Sequence, residues 1–198
     1  MEAVLGPGSP IFNMDARILL FLQEYVRNPV LDIIMKVYTT LGNKAALAIA
    51  MVLVLLCFKK TREVGFLMAV SLVLEVLLNN GLLKNLVARV RPYELIDGLK
   101  LIVGEADDWS FPSGHTGAFF AVAGVAAFLL PRKWGILGIV LAVLMGFSRL
   151  YVGIHYPSDV IAAALLGMLT SVLTVKVLFR EGKLPPRMRK FAEKLPGV

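Results

Sequence analysis

The stretch Ser148–Asp159, "SRLYVGIHYPSD", interrupts some of the most apolar sequence in the chain, yet it carries Arg149, His155 and Asp159. The three are spaced six and four residues apart. On either side lie apolar runs, about 134–152 and about 157–179, each near the ~20 residues that a helix needs to cross a bilayer. Ionisable side chains at the edge of such segments are costly and by default belong to a functional site. The stretch therefore reads as the link between two membrane helices. The fold follows from how many similar runs accompany them.

Of 198 residues, 58% are hydrophobic, and the mean hydropathy is +0.75. A soluble domain usually holds about 45–50% apolar residues. The excess falls in blocks over about 43–58, 63–88 and 115–130, besides the two runs above. The expectation is an all-α, polytopic transmembrane bundle of five spans, with 29–42 as a sixth if it inserts fully. Pro29 opens that segment, and Asp32 and Lys36 lie on it. Residues 1–198 read as a single membrane domain: interfacial helices over 14–42, a bundle over 43–179 and a basic tail over 180–198. In 14–27, Met14, Ile18, Phe21, Leu22 and Tyr25 share one helical face, with Asp15, Arg17 and Glu24 on others. This is the pattern of an amphipathic helix lying in the headgroup region. The N-terminus shows a "GPGSP" loop in place of the basic and apolar stretches of a cleaved leader. Cys57, the one cysteine, sits in an apolar run and reads as a packed or lipid-facing thiol.

Charge placement orients this bundle. Lys59, Lys60 and Arg62 join the first two spans, and Arg132 and Lys133 join the third and fourth. Arg180, Lys183, Arg187, Arg189, Lys190 and Lys194 follow the fifth. Alternation puts all three groups on one side, which the positive-inside tendency makes cytoplasmic. The net charge of +7 is then largely a topology signal, with the tail able to touch anionic lipid. No recognition module accompanies it, so no nucleic-acid partner is expected.

The opposite side receives three clusters. In "KNLVARVRP", Lys84 and Arg91 are seven residues apart and project from one face of the helix end, while Arg89 points elsewhere. In "FPSGHT", Ser113 is placed to cap a helix opening at Gly114, with His115 just inside. In the opening stretch, Arg149 ends one helix, and Pro157 and Asp159 sit in the first turn of the next. Taken singly, these are snorkelling anchors, caps and dipole partners. Together they gather three cations, two histidines, a carboxylate and two helix N-termini on the face where the charge rule disfavours cations. Such a cluster suits a phosphoryl group. His155, with Asp159 folded back by the Pro157 turn, is the candidate nucleophile, and His115 the candidate acid.

The ordered set Lys84-x6-Arg91-Pro92, Pro112-Ser113-Gly114-His115 and Ser148-Arg149-x5-His155-x3-Asp159 resembles the tripartite signature of the type 2 phosphatidic acid phosphatase superfamily. The resemblance implies a metal-independent phosphatase on a six-helix-type bundle, with no cofactor. It implies that Lys84, Arg91 and Arg149 bind phosphate oxygens, helped by Ser113 and the Gly114 amide. His155 would form a phosphohistidine, Asp159 would hold its other nitrogen, and His115 would protonate the leaving group and then activate water. Asp107 and Asp108, beside Trp109, read as an interfacial loop and not a metal site. Glu75, Asn79 and Asn80 fit either a substrate route or interhelical hydrogen bonding.

An amphiphilic phosphate ester is the expected substrate, met at the extracytoplasmic face of a cell membrane. Undecaprenyl diphosphate is preferred by resemblance to small bacterial members, with phosphatidate or phosphatidylglycerophosphate as the alternative. A phosphotransferase and a non-enzymatic lipid transporter are the competing readings. Nothing in the sequence sets an oligomeric state.

Overall fold

The computed structural model describes residues 2–180; the basic tail expected over 180–198 lies, from residue 181 onward, outside the described residues. Among those described, the chain is helical throughout, without strands. In order the helices are α1 (Glu2–Leu5), α2 (Pro10–Phe21), α3 (Pro29–Leu41), α4 (Ala46–Cys57), α5 (Arg62–Val76), α6 (Lys84–Val87), α7 (Pro92–Leu95), α8 (Gly114–Leu129), α9 (Arg132–Tyr151) and α10 (Pro157–Arg180). Wider π-type turns extend α2 over Leu22–Val26 and join α5 to α6 over Leu77–Leu83.

Helix starts follow local chemistry. Helix α2 begins at Pro10, four residues before the sequence expectation, because Ser9 Oγ accepts the Phe12 amide at 3.1 Å and Pro10 suits the first turn. Asn28 does the same for α3, accepting from Leu31 at 3.0 Å. The runs expected at 63–88, 115–130, 134–152 and 157–179 all appear as helix within a residue or two.

Of the five to six spans expected, length and apolarity alone pick out three or four among the described residues. Three helical stretches among the described residues are long and apolar enough to cross a membrane: Arg62–Leu95, Arg132–Tyr151 and Pro157–Val177. A fourth crossing is available if α3 and α4, bent by 56°, count as one span. Helix α4 has only 12 residues and α8 only 16. At 1.5 Å per residue α8 reaches about 24 Å, short of a ~30 Å hydrocarbon core. Hydropathy marked these blocks as apolar but did not measure how much of each stays straight.

Helix α8 is the hub, packed between α5, α9 and α10 and buried along most of its length. Small residues permit this closeness. A Cβ on Gly117 would meet Glu75 Oε1 of α5 at 1.8 Å, and one on Gly167 of α10 would meet the Gly117 carbonyl at 2.4 Å. Outside this seam the bundle presents Leu53, Phe66, Leu137, Val143, Ile161 and Leu165 outward, the apolar belt of a membrane protein.

Helix α2 corrects one expectation. Met14, Phe21 and Tyr25 are exposed, whereas Phe12, Asp15 and Leu19 turn inward toward Tyr156, Ile96 and Leu99. Asp15, read from the sequence as part of a polar face, is fully buried.

Candidate active site

The site is built where the long α5–α6 stretch breaks. Ala88 adopts a left-handed conformation (φ 47°), and Arg91, preceding Pro92, is extended. Lys84 and Arg91 therefore do not share one helix face, as their seven-residue spacing suggests. They converge because the chain turns between them. Asp108 fixes the outcome: its carboxylate pairs with Lys84 Nζ through one oxygen and with Arg91 Nη2 through the other. Its carbonyl accepts from Arg91 Nε at 3.0 Å. Burial alone would raise the Asp108 carboxyl, but its bonds to Lys84 and Arg91 hold it below its ordinary 3.8.

Arg149, in the last turn of α9, donates to Thr39 Oγ1 at 2.5 Å, while its Nε has no partner. Gly153 (φ 84°) then turns the chain so that Ile154 and His155 face back to Arg91. Arg91 Nη1 donates to the Ile154 carbonyl at 2.9 Å and lies 3.1 Å from His155 Nε2. His155 is buried between helices. Burial first, then the charges of Arg91, Arg149 and Lys84, hold its imidazole well below the usual 6.5, so it is neutral at physiological pH. Its Nδ1 lies 3.5 Å from Asp159 Oδ2. That same oxygen accepts from Ser110 Oγ at 2.5 Å and from the Tyr156 amide at 3.0 Å.

His115, in the first turn of α8, places Nε2 3.1 Å from Asn43 Oδ1. Ser113 occupies the cap position of α8, as its sequence context suggests, but makes no capping bond. Its hydroxyl instead meets Thr116 Oγ1 at 3.0 Å. Gly114 packs against Asn80, whose Oδ1 would lie 3.1 Å from an added Cβ.

One cavity of about 840 Å³ is lined by Lys84, Arg91, Gly114, His115, Arg149 and His155. Six of the eight residues singled out from the sequence thus share it; Asp159 stands behind His155, and Ser113 turns toward Thr116. From this cationic end the cavity continues along Ile49 of α4 and Leu72, Val73, Val76 and Leu77 beside α5. It can hold an anion against three cations and an apolar tail against the helices. Asn80 lines it, whereas Glu75 and Asn79 are buried and bonded to each other at 2.7 Å. Asn80 fits the substrate-route reading, whereas the Glu75–Asn79 bond lies within one helical stretch and is not the interhelical bond of the other reading.

Sequence reasoning missed Thr39, Asn43 and Asp108 at the cavity, and Asp15, Arg89 and Ser110 behind it. Asp108 lies on a loop, as expected, and its pairing with Lys84 and Arg91 is what the sequence did not announce. Asp15 had a signal: it stands three residues after Phe12 and four before Leu19, on their face. The others are brought in by loops or bends whose course no local pattern announces.

The PAP2 superfamily model matches residues 61–183. The undecaprenyl-diphosphatase of Sulfolobus acidocaldarius is 40% identical over 125 residues, 62% of this chain and 59% of that protein. The chain thus spans less than two thirds of that relative's length. Phosphatidylglycerophosphatase B of Bacillus subtilis is 32% identical over 157 residues, 73% of each chain. The crystal structure of Aquifex aeolicus LpxE superposes with a TM-score of 0.74 at 26% identity, covering 87% of this chain and 99% of that one. The chain belongs to the PAP2 superfamily.

Proposed function

We propose that this member of the PAP2 superfamily is a membrane lipid phosphatase acting without a metal, as one domain over residues 1–198. The observation that carries the reading is the single cavity whose cationic end holds both imidazoles and whose far end is apolar. Lys84, Arg91 and Arg149 neutralise the equatorial oxygens of a bound phosphoryl group, together with the Gly114 amide. This requires the Asp108 carboxylate to leave Lys84 and Arg91 as phosphate arrives. His155 Nε2, neutral and in reach, attacks phosphorus in line. The N–P bond forms as the bond to the leaving oxygen breaks, and His115 gives that oxygen a proton. Asp159 steadies the charge that develops on His155. Water, deprotonated by His115, then attacks the phosphohistidine, releasing phosphate and restoring both rings.

Undecaprenyl diphosphate is the preferred substrate, supported by the name of the Sulfolobus relative and by the apolar wall for a long tail. Phosphatidate or phosphatidylglycerophosphate is the second reading, favoured by the Bacillus subtilis relative. The basic segments at 59–62 and 132–133 support an extracytoplasmic site and a cytoplasmic C-terminus in a cell membrane crossed five to six times. The exposed Met14, Phe21 and Tyr25 support an interfacial N-terminal helix.

The test is release of inorganic phosphate from lipid phosphates by purified protein in EDTA, lost in His155→Ala. Release by that variant removes His155 as the nucleophile, and no release by the wild type while it still moves lipid turns the reading toward a transporter. His115→Ala sorts the substrates. A diphosphate loses a phosphomonoester, a better leaving group than an alkoxide, so the variant is expected to harm phosphatidate turnover more. Equal losses on the two would count against that account of His115.

A further inference from the structure

Behind His155, on the side away from the cavity, lies a buried cluster of which the steps above use Asp159 and no other member. Arg89 stands between two carboxylates: Nη1 reaches Asp159 Oδ1 at 2.6 Å, and Nη2 reaches Asp15 Oδ2 at 2.9 Å. All three side chains are almost entirely buried. The guanidinium also stacks on the Tyr156 ring at 3.7 Å. Ser158 closes the group, accepting from Arg89 Nη1 at 2.7 Å and donating its amide to Asp15 Oδ1 at 3.1 Å and its hydroxyl to Oδ2.

The charge count of this cluster has a consequence. Arg89 and Asp159 alone form a neutral pair, and a carboxylate already neutralised at 2.6 Å offers little to an imidazole 3.5 Å away. Asp15 adds a second negative charge on the far side of Arg89, leaving one cation against two carboxylates. Three cations line the front of His155, so a net negative charge behind it is what favours positive charge on the ring.

We propose that Asp15, carried by the N-terminal helix, is a positioning residue for catalysis: it balances Arg89 so that Asp159 stays available to His155. Docking of α2 through Phe12 and Leu19 thereby completes the site and is more than a peripheral packing contact. The inference rests on His155 being the nucleophile, and it gives α2 a role that the three signature motifs do not contain.

Two variants test it. Asp15→Asn keeps the shape and one acceptor oxygen but removes the extra charge; kcat is expected to fall about tenfold, the size of a one-unit change in imidazole basicity, with KM within about twofold. In Asp15→Asn together with Arg89→Gln, both added charges go and Asp159 again stands alone as the net negative group. Its kcat is expected within about threefold of wild type, a recovery that a mere tie between α2 and the bundle would not give. An unchanged kcat in the single variant, a change confined to KM, or a double variant down tenfold or more would overturn the inference. If the single variant does not fold, the double variant alone decides by the same limits. His155→Ala assayed alongside separates the two failures. Should it retain turnover, the nucleophile assignment falls; should it be inactive while Asp15→Asn is unimpaired, only the role of Asp15 does.

Discussion

His155 separates two regions of opposite charge that share one short stretch of sequence, Lys84–Arg91. In front, Lys84, Arg91 and Arg149 face a cavity, with Asp108 pairing Lys84 and Arg91 and Thr39 bonding Arg149. Behind, Arg89 is enclosed by Asp15 and Asp159. Arg89 and Arg91 differ by two positions and serve the two regions separately. The front is under-neutralised and opens onto a cavity, an arrangement suited to an incoming anion. The back is closed, multiply bonded and drawn from α2, α10 and the 88–91 turn, the arrangement that fixes geometry. On the proposed mechanism, this difference is what lets a neutral His155 accept charge during the reaction.

Removing a front cation is the strongest way to break the contrast. Arg149→Ala is expected to lower kcat/KM about 10²–10³-fold, the usual cost of losing one donor to transition-state charge. Phosphate release from detergent-solubilised lipid phosphate measures it, and a loss under tenfold would leave Arg149 only its bond to Thr39.

Asp108→Ala should act in the opposite direction. The carboxylate occupies Lys84 and Arg91 when no phosphate is bound, so its loss should tighten product inhibition by inorganic phosphate about three- to tenfold, in line with the ~1 kcal/mol of a partly exposed ion pair. The pH dependence follows in sign. Pairing with Lys84 and Arg91 depresses the Asp108 carboxyl below 3.8, so it is ionised throughout the physiological range and would be neutralised only in stronger acid. The advantage of the variant should therefore be the same at about pH 5.5 and 7.5, once phosphate ionisation is allowed for. An effect present at one pH and absent at the other contradicts this.

The smallest effect is expected at the back. Ser110→Ala removes one of the bonds to Asp159 Oδ2, leaving those from Arg89 and the Tyr156 amide to the same carboxylate. One hydrogen bond at about 0.5–1.5 kcal/mol corresponds to a two- to tenfold fall in kcat, with KM little changed. A loss as large as that of Arg149→Ala would mean that the back region is not redundantly bonded.

Helix positions from α5 onward were legible because apolar runs of bilayer length leave few alternatives. The site was legible because ionisable residues are rare beside such runs, which makes Lys84, Arg91, His115, Arg149, His155 and Asp159 stand out. Legibility failed wherever the outcome depended on a bend. The amphipathic pattern of α2 offers two faces, and the choice of Met14, Ile18 and Phe21 as the informative one concealed Asp15 on the other. The seven-residue spacing of Lys84 and Arg91 reads as helical, but the left-handed Ala88 breaks it. The long loop to Asp108 has no periodicity from which its return to the cations could be read.

By itself the sequence determined that this chain is a helical, membrane-type protein with a distinctive set of ionisable residues beside its apolar runs, because side-chain chemistry and hydropathy are local properties. Which side chains meet was decided only by the tertiary structure. Pairing of Asp15 with Arg89 and of Asp108 with Lys84 and Arg91 joins residues 74, 24 and 17 positions apart. Ion pairs across such separations depend on where helices end and turn, and on which face of each is turned inward. Those are features of the packed chain as a whole.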